Sequence, residues 1–165
     1  MQIPKIQPTA ANLKDNLYKN DFYQWTQQQA NLLRQQQWHD LDILNLIEEI
    51  ESLGRKERQE LRNRLSILIG HLLKWEYQNS KRSRSWLATI RIQRRDILKL
   101  LQENPSLKSQ LEILIVESYE NGRDLASGET NLPFSTFPEI CDYSFEEILK
   151  DNFLPGEPVE DDLLT

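Results

Sequence analysis

Apolar residues recur along this chain every third or fourth position, the spacing of helices, and no stretch alternates as a strand does. Phe22, Trp25, Leu32 and Leu33 share one face of a first helix, which Asn20 or Asp21 caps and which ends near Gln37. Asp40 is placed to cap a second helix running to Leu53, with Gly54 as its C′ residue. From Arg55 to Gln78, Leu61, Leu65, Leu68, Leu72 and Trp75 lay one apolar seam along a third helix. The polar segment 79–84 interrupts the pattern. Ser83 or Ser85 then opens a fourth helix, with Trp86, Ile90, Ile97, Leu100 and Leu101 inward. Asn104 and Pro105 end it, and Pro105 suits the first turn of a fifth helix. The stripe of that fifth helix is Leu107, Leu111, Leu114, Ser118, Gly122 and Leu125, where the small Ser118 and Gly122 invite a close helix neighbour. Residues 128–143 read as a loop laying Phe134 and Phe137 onto the bundle. Ser144-Phe145-Glu146-Glu147 then matches the S-x-x-E capping box of a short last helix. The predicted fold is an all-α helical bundle of about five main helices plus a short C-terminal helix. It is expected as one domain over residues 21–154, after an irregular arm (1–20) and before a mobile acidic tail (155–165).

Composition narrows the setting. The 165 residues suit one domain that builds its core without staples. The single cysteine, Cys141, excludes an intramolecular disulfide and fits a reducing compartment. The N-terminus has no apolar signal region, and no apolar run approaches the roughly 20 residues that cross a bilayer, so a cytoplasmic location off the membrane is expected. Charge is segregated. Residues 1–54 carry 4 basic and 7 acidic side chains, residues 55–99 carry 13 and 4, and residues 100–165 carry 3 and 15. Either the basic middle packs against the acidic end, or it offers a face to an anionic partner.

Some polar residues break the pattern. Projected onto their helices, Glu51 falls between Leu44 and Ile47 and Arg94 between Leu101 and Leu87, both inside apolar arcs. A buried charge needs a partner, so these two satisfy each other or nearby polar groups, or else line an internal polar pocket. On the third helix, Glu60, Arg64, Ile67, His71 and Lys74 form a second line beside the leucine seam. It reads as a solvated flank with Glu60–Arg64 pairing, or as a line carrying a histidine poised for acid–base work.

No motif names a reaction. There is no H-E-x-x-H, no Glu-x-x-His, no Gly-rich phosphate loop and no G-x-S-x-G, so neither a metal nor a cofactor is called for. Arg64 and His71, with six residues between them on one face, loosely fit a metal-independent ribonuclease of the HEPN type. There the Arg stabilises phosphorane-like charge and the His is general acid or base. Two turns of helix, roughly 10 Å, separate the pair.

Several runs occur together: Glu48-Glu49-Ile50-Glu51-Ser52-Leu53-Gly54, His71-Leu72-Leu73-Lys74-Trp75, Arg84-Ser85-Trp86, Gln93-Arg94, Asn104-Pro105-Ser106-Leu107, Gly122-Arg123, Glu129-Thr130, Phe137-Pro138-Glu139 with Cys141, and Phe153-Leu154-Pro155. Over roughly Tyr18–Pro155 the chain resembles the family called domain of unknown function 29, abundant in cyanobacteria. That family often has proline where Asp142 stands here. The resemblance implies a compact helical fold and no activity. Whether the chain is an enzyme is therefore open. The expected function is a non-catalytic interaction or regulatory module, with the HEPN-like ribonuclease as the alternative. Binding would use Glu51, Lys74, Arg82, Arg84, Arg91, Arg94 and Arg95, with an acidic protein surface or a phosphate-containing ligand as partner. A pI near 5.0 argues against non-specific nucleic-acid binding.

Overall fold

The computed structural model describes residues 17–158. Its helices are α1 (Phe22–Arg34), α2 (Ile43–Tyr77), α3 (Arg84–Glu103), α4 (Leu111–Thr130) and α5 (Phe145–Leu149). No strand occurs among the described residues, so the chain is all-α. The expected arm and tail lie outside the described residues at 1–16 and 159–165, whereas residues 17–20 are helical. The chain forms two compact units, Met1–Gly54 and Arg55–Thr165.

The second and third helices expected from the pattern are one helix, α2. Gly54 is a C′ signal only where the backbone turns left-handed, and here it stays helical with open space around its α-carbon. A lone glycine costs a helix about 1 kcal/mol, too little to end one that has no proline between Pro8 and Pro105. Asp40 is not its cap. It sits in the 3-10 turn Trp38–Asp40, and α2 begins at Ile43.

In the first unit, the Asp21 side chain accepts from the Gln24 N–H and caps α1. Trp25 is the buried apolar anchor, and its indole donates to Asp42 at 3.0 Å. Gln29 accepts from the Asp42 N–H at 2.8 Å, which ties the end of the interhelical turn back to α1. Tyr18 packs edge-on against Phe22 and Trp25 and donates to Glu49 at 2.6 Å. The arc that was to bury Glu51 is open. Leu44 is 81% exposed, Ile47 and Ile50 are exposed, and so is Glu51. Glu51 is therefore no intruder in a core.

The second unit holds the main core. Leu61, Leu65, Leu68, Leu72 and Trp75, the predicted seam, are fully buried, as are Ile90 and Ile97 of α3 and Leu114 of α4. Each such side chain contributes about 1.5–3 kcal/mol by leaving water. Ser83 caps α3 by accepting from the Trp86 N–H. Pro105 opens a 3-10 turn, Pro105–Gln110, before α4 becomes regular at Leu111. The small stripe of α4 meets α2 closely. Ser118 donates to the Arg62 carbonyl at 3.1 Å, and a methyl on Gly122 would lie 2.9 Å from Ile69 Cγ2 and 3.2 Å from the Gly70 nitrogen. Phe137 is buried, and the capping box at Ser144 and Glu147 is formed in both directions.

Candidate functional site

Arg94 is 1% exposed and gives its guanidinium to three main-chain carbonyls: Ile148 at 2.8 Å, Asp151 at 3.0 Å and Phe153 at 2.6 Å. Burial pulls its pKa down to about 10. Of the two expected ways to satisfy Arg94, pairing with Glu51 or with nearby polar groups, it takes the second, clamping the end of α5 and the segment after it. Arg82 does similar work, donating to the carbonyls of Trp75 at 2.8 Å and Glu157 at 2.8 Å. The start of the expected mobile tail is thereby tethered, and Pro155 is buried.

The second line on α2 is solvated at its Glu60 end, where the expected Glu60–Arg64 pair forms, and becomes a seam between helices toward Lys74. Arg64 pairs with Glu60 at 2.8 Å and with Asp96 of α3 at 2.7 Å. Lys74, 2% exposed, pairs with Glu129 of α4 and lies 4.3 Å above the Trp86 ring. His71 sits between them with Nδ1 3.0 Å from the Ile67 carbonyl, which places its proton on that nitrogen. Burial first, and then the nearby Lys74 charge, hold His71 below the usual histidine range, so it is neutral at pH 7. The cleft beside Arg64 holds about 230 Å³ and is lined by Glu60, Asp96, Lys99, Leu100 and Glu103 as well as Arg64 itself; His71 is not among its lining residues. Arg64 and His71 therefore have separate surroundings.

The rest of the predicted basic set is on the surface. Arg84, Arg91 and Arg95 are exposed on α3 at positions i, i+7 and i+11, which share one helical face. Ile92 and Leu98 are exposed at the edges of that face. Arg91 also borders a cavity of about 560 Å³ formed with Leu87, Asp151, Asn152 and Leu154.

A further groove, of about 410 Å³ and not marked by any sequence motif, lies between α4 and the loop before α5. Its lining includes Val116, Tyr119, Glu120, Arg123, Glu139, Ile140 and Cys141, and the Arg123 guanidinium donates to the Phe137 carbonyl at 2.9 Å. The Tyr119 hydroxyl donates to the Pro138 carbonyl at 3.0 Å, and burial raises its pKa to about 12. Burial likewise raises the Cys141 thiol, which stays protonated and poorly nucleophilic near neutral pH. Tyr143 donates to Glu76. The signal for this groove is Val116, an apolar position off the inward stripe of α4. Among the described residues, no three His, Cys, Asp or Glu side chains group as a metal site, and no helix is long and apolar enough to cross a membrane.

Comparison with curated proteins and with solved structures finds no match. The family model described as "Domain of unknown function DUF29" matches residues 17–154, the span that holds α1 to α5, the Arg94 clamp and all three cavities. The chain belongs to the DUF29 family.

Proposed function

We propose that this protein is a non-catalytic interaction module that binds an acidic protein surface through Arg84, Arg91 and Arg95 on α3. The observation that carries this reading is how the cations are spent. Arg64, Lys74, Arg82 and Arg94 are engaged inside the fold, while Arg91 and Arg95 are exposed and in no ion pair among the described residues. Exposed Ile92 and Leu98 beside them favour a protein partner, because a purely phosphate-directed face gains little from aliphatic edges. The excess of acidic residues over the whole chain opposes unaided binding to nucleic acid.

The test is a titration against polyglutamate and against a generic RNA as salt is raised, for the natural chain and for Arg91→Glu/Arg95→Glu. Polyglutamate binding at low salt that the double reversal removes supports the reading. No binding at low salt, or binding indifferent to the reversal, overturns it. RNA bound more tightly than polyglutamate replaces it with nucleic-acid recognition. RNA cleavage that survives EDTA and is lost in His71→Ala replaces it with catalysis.

A further inference from the structure

The outward face of α4 is the chemical opposite of the outward face of α3. Along α4, Glu112, Glu120 and Asp124 are exposed around Ile113 and Val116, the latter 74% exposed. Glu139 and Ile140, the latter 78% exposed, extend this surface across the groove. Glu120 and Glu139, like Arg91 and Arg95, take part in no ion pair among the described residues. The second unit thus carries a groove in which Glu120 and Glu139 stand beside Val116 and Ile140, while the Arg123 guanidinium in the same lining is spent on the Phe137 carbonyl, and a basic row with aliphatic edges.

We infer that the α4 groove docks the α3 face of a second copy of this chain, with Arg91 and Arg95 against Glu120 and Glu139 and the aliphatic edges against Val116 and Ile140. The inference takes the basic row from the reading above and names its acidic partner. With Arg123 spent on the Phe137 carbonyl, the charges left on each face are of one sign, so neither face pairs with its own kind. The contact is head-to-tail, so each bound copy leaves one groove and one row open, and assembly continues unless the geometry closes a ring. Opposite charges at the rims speed encounter and set the register, and salt weakens them. The aliphatic side chains supply the apolar burial at the centre.

The experiment measures mass by light scattering and sedimentation velocity over a concentration series, at low and high salt. The natural chain should gain mass with concentration at low salt and return to one copy at high salt. Arg91→Glu/Arg95→Glu and, separately, Glu120→Lys/Glu139→Lys should each stay single, with unchanged helicity by circular dichroism. Mixed in equal amounts, the two variants should assemble again, because the intact row of one meets the intact groove of the other. A natural chain that stays single at low salt, a variant that still assembles alone, or a mixture that stays single overturns the inference. Polyglutamate binding by Glu120→Gln/Glu139→Gln, which adds no cation and leaves the α3 row intact, separates the two readings. If that binding holds while assembly fails, the basic face stands without this partner.

Discussion

Replacing Arg94 with methionine should be as damaging as truncating a core side chain in the second unit. The aliphatic part of the side chain is kept, so little packing is lost. What goes is the donor set for three carbonyls, of Ile148, Asp151 and Phe153. The Ile148 bond is buried and the other two are partly buried. An orphaned buried acceptor costs about 1–3 kcal/mol, and a partly buried one recovers some of that from water. Set against this is relief from burying a cation, whose cost shows in the depressed Arg94 pKa. The balance is a loss of about 3–5 kcal/mol, within the range for breaking a buried charged network. For a chain of this length that lowers the midpoint of thermal unfolding by roughly 10 °C. Arg94→Lys should recover only part of the loss, because one ammonium cannot span three carbonyls set for a planar fork. Urea titration and amide hydrogen exchange give the answer, and exchange at Ile148–Phe153 should quicken first. A methionine variant within 1 kcal/mol of the natural chain, with exchange there unchanged, would refute the clamp.

Two glycines should respond in opposite directions. Gly54→Ala, helical and in open space, should stabilise by about 0.4–1 kcal/mol, whereas Gly122→Ala, pressed on Ile69 and the Gly70 backbone, should destabilise by about 1–3 kcal/mol; urea midpoints read both. His71 contributes a pH dependence. Its folded pKa is depressed, so below the unfolded value near 6.5 the unfolded chain takes up a proton that the folded chain refuses. Stability should therefore fall as pH drops below about 6.5, by at most about 1.4 kcal/mol per unit, until His71 protonates in the folded state. His71→Gln should flatten the slope between pH 6.5 and pH 5, and an unaltered slope there would count against it. Glu129→Ala, which strips the carboxylate from buried Lys74, should cost about 1–3 kcal/mol, while Lys74→Met should be closer to neutral. Comparing the two by thermal unfolding tests whether that pair is chiefly a requirement of the lysine.

The parts of the fold legible in the sequence are those governed by local rules. The seam from Leu61 to Trp75 needs only helical period, and the caps at Asp21, Ser83 and Ser144 need only a side-chain oxygen ahead of an apolar run. Gly54 misled because glycine signals an ending only with left-handed backbone, and residue type does not specify that torsion. Glu51 and Arg94 show a different limit. Projecting a helix finds an arc but not what covers it: the arc of Arg94 is covered, while that of Glu51 is open. Even where burial was read correctly, the partner of Arg94 was not legible, because it is main chain and every residue carries a carbonyl. The same holds for the seam on α2. Arg64, His71 and Lys74 form a line that the spacing displays, but Asp96, Trp86 and Glu129 come from other helices and share no register with it. The α4 groove is not legible in the sequence for the converse reason. Its carboxylates look like any solvated face until Val116 and Ile140 are seen exposed among them. A charge is a candidate for recognition only once the fold has declined to use it, and among the charges so left Arg91, Arg95, Glu120 and Glu139 are the ones that stand beside exposed aliphatic side chains at a cavity or on a shared face, which makes them the residues to test first.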